Sequence, residues 1–82
     1  MAGWIMNKQR RKRLEDVVDR LQDCMAELEY IKEEEQEAYD NLPESLQYSE
    51  KGEQMQENAD DIDYVVSDLD QVISSIEEII NK

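Results

Sequence analysis

From residue 14 onward the chain repeats apolar side chains with a period of seven. Leu14, Leu21 and Leu28, continued by Glu35 and Leu42, form one series. Val17, Cys24, Ile31 and Ala38 lie three residues later, and Val18, Met25, Lys32 and Tyr39 four later. The last third repeats the arrangement. Met55, Ile62, Leu69 and Ile76 recur at seven, with Val65, Val72 and Ile79 three residues after members of that set and Ala59, Val66, Ile73 and Ile80 four after. At 3.6 residues per turn each trio of series winds into one broad apolar stripe, with Asp, Glu, Ser and Gln opposite. Three apolar positions per heptad exceed the two-per-heptad seam of a simple coiled-coil pair and match a bundle helix.

Between the stripes the pattern breaks at Asn41, Leu42, Pro43 and Glu44. Proline disfavours helix at the residue before it, and Ser49 is a suitable N-cap for a second helix. The chain therefore reads as an appendage over 1–7 and a single domain over 8–82. Helix is predicted over 8–41, a loop over 42–48 with Leu46 and Tyr48 tucked over the hairpin end, and a second helix over 49–81. A competing start at Pro43 would run the second helix through Gly52, where glycine costs about 1 kcal/mol. The fold class is all-α: an antiparallel two-helix hairpin, coiled-coil-like. One facing helix covers only two of the three apolar positions in each heptad, so the hairpin is expected to dimerise into a four-helix bundle, the alternative being a different protein that supplies the missing helices. The interface set read from the pattern is Leu14, Val18, Leu21, Met25, Leu28 and Ile31 on the first helix, and Met55, Ile62, Val66, Leu69, Val72, Ile73, Ile76 and Ile80 on the second.

Polar residues inside the stripes sharpen this picture. Lys32 and Glu35 interrupt the first where Asn58 interrupts the second, so in an antiparallel hairpin Glu35 and Asn58 face each other and fix register. Cys24 and Met25 fall within the stripe and read as core.

Composition agrees with long helices: 82 residues hold two Gly, one Pro and no Phe. The net charge of −13 opposes general nucleic-acid binding and leaves open a partner with a basic surface. Charge is partitioned: residues 1–20 carry six basic and three acidic side chains, net +3, and residues 21–82 three basic and nineteen acidic, net −16. The basic block Lys8, Arg10, Arg11, Lys12 and Arg13 opposes the helix dipole and is the candidate anion-binding patch. An antiparallel partner helix would bring Glu77 and Glu78 near it. The appendage reads as an extension before a start at Met6; the functional alternative is that Trp4 and Ile5 insert into a partner or membrane surface. A single cysteine forms no internal disulfide, and no stretch is apolar for the ~20 residues needed to span a bilayer. A soluble, intracellular (cytoplasmic) protein without membrane contact is the expectation.

The chemistry of catalysis is missing. Without His there is no Ser–His or Cys–His pair and no His-bound metal, and neither Gly lies in a phosphate-cradling loop. Asp60, Asp61 and Asp63 lack the glycine and closing Glu of a calcium loop. No catalytic, cofactor or metal residue is assigned, and an enzyme is not expected.

The succession RRKRLEDVVDRL, EEEQEAYDNLPESLQYSEKGE and DLDQVISSIEEII resembles a group of small proteins encoded by phages and prophages of Gram-positive bacteria. That group combines an Arg/Lys-rich start, an E-E-x-E-A-Y/F run, an N-x-P-E-x-L-Q-x-S-E loop and a repetitive acidic tail. The loop is matched here by Asn41, Pro43, Glu44, Leu46, Gln47, Ser49 and Glu50, and the similarity covers roughly 8–80. It implies a helical hairpin of phage origin and carries no established activity. The Tyr, Val and Ile of the second helix, where the group favours Ala and Leu, favour stable oligomerisation. Two functions are expected. One is a non-enzymatic, self-associating protein–protein interaction module; the other is an acidic DNA mimic that inhibits a host nucleic-acid-binding or defence protein.

Overall fold

Two long helices dominate the computed structural model, which describes residues 6–82. Residues 1–5, with Trp4 and Ile5, lie outside the described residues. Helix α1 spans Lys8–Asp40, a one-turn helix α2 spans Glu44–Gln47, and α3 spans Glu50–Ile80. Each long helix begins on a side chain that accepts an orphan amide of the first turn. Asn7 Oδ1 accepts from the Arg10 amide at 2.8 Å, and Ser49 Oγ from the Gly52 amide at 3.3 Å. The molecule measures 66 × 15 × 12 Å, a rod one helix thick.

Polar contacts across the rod show that α1 and α3 run antiparallel. The Asn58 amide donates to Glu35 Oε2 at 2.9 Å, so the two interrupting residues meet across the seam. The Lys32 ammonium donates to Asp63 Oδ1 at 3.0 Å, and this bond holds its pKa above the ordinary lysine value. Gln36 and Gln56 exchange amide hydrogen bonds at 3.4 and 3.2 Å. At this register Leu21 lies level with Ile73, and Leu28 with Val66.

Between 42 and 48 the structure differs from a simple loop. Pro43 starts a helical turn whose Leu46 and Gln47 amides reach back to its carbonyl at 2.8 and 3.1 Å. The turn aims Gln47 inward, and Gln47 Nε2 donates to the carbonyls of Tyr39 and Asp40 at 3.3 and 3.4 Å. Both belong to the last turn of α1, where carbonyls lack the usual helical partner; the Leu42 amide also donates to that of Tyr39 at 3.0 Å. Leu46 and Tyr48 do not tuck over the hairpin end; both are exposed. The polar Gln47 takes the inward place because it can satisfy backbone oxygen. Helix α3 begins only after Ser49, so the turn after Pro43 and α3 remain separate elements.

The core is thin. Among the described residues Val18, Ala59, Val66 and Ile73 are its buried apolar side chains, and Gly52 is buried where α2 crosses the first turn of α3. A core of this size is near the lower limit for an independently stable domain.

Candidate functional site

The hairpin seam uses two of the three apolar series on each helix. On α1 these are the Leu14 series and the Val18 series; on α3 they are the Met55 series and the Ala59 series. Apart from Cys24 and Ala38, which are small, the side chains left over on α1 are Val17 and Ile31. On α3 the remainder is Val65, Val72 and Ile79. Their exposure decides their role: Ile31 is 41% exposed, Val65 50%, Val72 49% and Ile79 40%.

These leftovers lie on one side of the rod. In antiparallel helices, flanking positions of the same type face the same way. The polar flank consists of the residues just after the seven-residue series: Glu15, Gln22, Glu29 and Gln36 on α1, and Gln56, Asp63, Asp70 and Glu77 on α3. Gln36 and Gln56 bond to each other, and Glu15, Gln22 and Glu77 line one groove, which places that flank on a common side. The apolar flank therefore occupies the opposite side from both helices. Val72, Ile76 and Ile79 line a shallow groove there, and Val17 lines another with Arg10, Arg13 and Arg20.

The interface set read from the sequence divides accordingly. Leu14, Val18, Leu21, Met25 and Leu28 of α1 are buried or half-buried towards the seam within one chain. So are Met55, Ile62, Val66, Leu69, Ile73, Ile76 and Ile80 of α3. Ile31 and Val72 alone of that set are exposed. Val65 and Ile79 are exposed beside them and half-buried Val17 shares their series; all three stand in the apolar stripes but outside that set. The signal is present in the pattern: a facing helix claims the pair of series four residues apart and leaves the third. Cys24 is likewise exposed rather than core, because it belongs to that third series.

The basic block sits at the open end of the hairpin. Lys12 pairs with Asp16 at 3.6 Å one turn along the same helix, and Glu77 lines the same groove as Lys12 without forming an ion pair. Arg11 Nε is buried there with no hydrogen-bond partner. The block's charge is thus largely uncompensated among the described residues. The described residues contain no group of carboxylate or cysteine ligands that could hold a metal ion, and no helix long and apolar enough to cross a membrane.

The Glu35–Asn58 pair lies at the closed end of the apolar side and terminates it. Replacing Asn58 with Leu extends the apolar flank by one layer, leaving half-exposed Glu35 to water. The melting temperature is expected to rise while the pairing of chains loses its single register. Circular dichroism melts with sedimentation velocity would check this; lower stability with unchanged assembly would contradict it.

Comparison with known protein families, characterised proteins and solved structures finds no match to this chain.

Proposed function

We propose that this protein is a non-enzymatic, self-associating helical interaction module of phage origin, and that its functional surface is the apolar side of the hairpin. The observation that carries this reading is the exposure of Ile31, Val65, Val72 and Ile79 along one side of a rod whose own seam is already filled. Four half-exposed aliphatic side chains in line lose apolar area to water that a second helical layer would recover, at roughly 25 cal/mol per Å². A second copy supplies that layer with an identical surface, completing a four-helix bundle by two-fold symmetry. The thin core points the same way, since small domains gain by sharing one. Sedimentation equilibrium of the full chain at micromolar concentration tests the reading. A dimer is expected, and a well-folded monomer throughout the range would refute it.

A further inference from the structure

The side chains bordering the apolar side carry a charge pattern that selects one way of pairing. Three residues beyond each apolar-flank position, and so on its outer margin, α1 places Arg13, Arg20, Glu27 and Glu34 in order from the open end to the closed end. The corresponding margin of α3 carries Asp61, Asp68 and Ser75, with Lys82 just past its end, running from the closed end back to the open end. Both margins are therefore positive at the open end and negative towards the closed end. All eight side chains are exposed. The two ion pairs of the described residues, Lys12–Asp16 and Lys32–Asp63, involve none of them.

We propose that two copies pair through their apolar sides with the hairpins antiparallel, the open end of each lying over the acidic half of the other. This inference rests on the self-association reading and adds its orientation. Turning one hairpin end for end lays α1 on the partner's α1, so that Arg13 meets Glu34 of the partner subunit and Arg20 meets Glu27 of the partner subunit. On α3, Asp61 meets the partner subunit's Lys82. The apolar series obey the same register. Val17 meets Ile31 of the partner subunit, and Val65 meets the partner subunit's Ile79, with Val72 beside its own symmetry mate.

The parallel alternative lays α1 on the partner's α3 with both open ends together. It sets Arg13 against Lys82, Glu27 against Asp68 and Glu34 against Asp61, all of like charge. The same apolar surface is buried in either case, so the margin decides. In the antiparallel register α1 overlaps its mate over about 30 residues and α3, paired from residue 61 to residue 82, over about 20, a mean of about 40 Å at 1.5 Å per residue. Over the 15 Å width of the rod that is on the order of 600 Å² per copy, at the lower edge of the roughly 600–1,000 Å² per partner of specific interfaces.

The test combines a distance with a charge swap. A spin label at Lys12→Cys in a Cys24→Ala background sits at the open end on the side away from the apolar surface. In the antiparallel dimer the two labels are separated by about 23 residues of helix, roughly 35 Å; in the parallel dimer they lie within about 20 Å across the bundle. Pulsed dipolar spectroscopy on a sample shown to be dimeric should give the long distance. A short distance overturns the orientation and leaves self-association standing, whereas a monomer by sedimentation overturns both. Independently, Arg13→Glu with Arg20→Glu should weaken dimerisation roughly tenfold to hundredfold at low salt, since two pairs on each α1 margin turn repulsive. Adding Glu27→Arg and Glu34→Arg should restore it. A double variant that dimerises like the unaltered chain, or a quadruple variant that stays weak, counts against the proposal.

Discussion

Replacing Val72 with Asp is expected to leave a helical chain that no longer pairs, whereas replacing its neighbour Ile73 with Asp is expected to unfold it. Successive helical residues point about 100° apart, and here that angle separates two environments. Ile73 is 3% exposed, in the seam at the level of Leu21; Val72 is half exposed on the apolar side. A carboxylate at 73 loses the burial of the aliphatic side chain, about 1.5–3 kcal/mol, and adds several kcal/mol for an unpaired buried charge. With four buried apolar side chains among the described residues, stability should fall near the lower end of the ~5–15 kcal/mol typical of domains, and that loss consumes most of it. At 72 the charge remains hydrated in the single chain. Pairing would bring two such carboxylates together near the two-fold axis, and dimerisation should weaken by at least about a hundredfold. Circular dichroism and sedimentation on both variants at one concentration would check the contrast. A folded Ile73→Asp chain, or a Val72→Asp chain that still pairs normally, would refute this assignment of the two sides.

The seven-residue recurrence from Leu14 and from Met55 locates both long helices in the bare sequence, because a broad apolar stripe has no other economical conformation at that length. Asn58 and Glu35 can be matched there too, because isolated polar residues at equivalent positions need each other. The series that the partner helix leaves uncovered cannot be assigned from periodicity alone, since all three look equally apolar on one helix. That choice depends on how the two rods rotate about their axes, and the Gln36–Gln56 pair reveals it only once both helices are in place. For this reason the interface set omits Ile79 and Val65 and the pattern puts Cys24 in the core. The turn after Pro43 is hidden for a different reason. Leu46 and Tyr48 look like the residues to bury, yet Gln47 can donate to the carbonyls that end α1, adding to the Leu42 amide on Tyr39 and reaching that of Asp40.

Gly52→Ala is expected to destabilise the hairpin, against the direction that helix propensity gives. Position 52 lies in the first turn of α3, where alanine is normally better than glycine by about 1 kcal/mol. A Cβ at this position, however, would lie 2.5 Å from the Leu46 carbonyl oxygen and 2.7 Å from the Gln47 carbonyl carbon, with the Gln47 oxygen nearer still. These are backbone atoms of α2 and cannot swing aside like a flexible side chain. The turn must move as a unit, which withdraws the Gln47 amide from the carbonyls of Tyr39 and Asp40. Overpacking of this kind costs about 1–3 kcal/mol, so the net loss after the propensity gain should be up to about 2 kcal/mol. For a domain of this size that lowers the melting temperature by up to roughly 15 °C. The measurement belongs in the Val72→Asp background, where self-association does not add to apparent stability. Gln47→Ala supplies the second arm. If displacement of the turn acts through the lost amide, the two substitutions together should cost less than their separate effects combined. A melting temperature that rises with Gly52→Ala would mean that α2 does not press against α3 as closely as the structure places it.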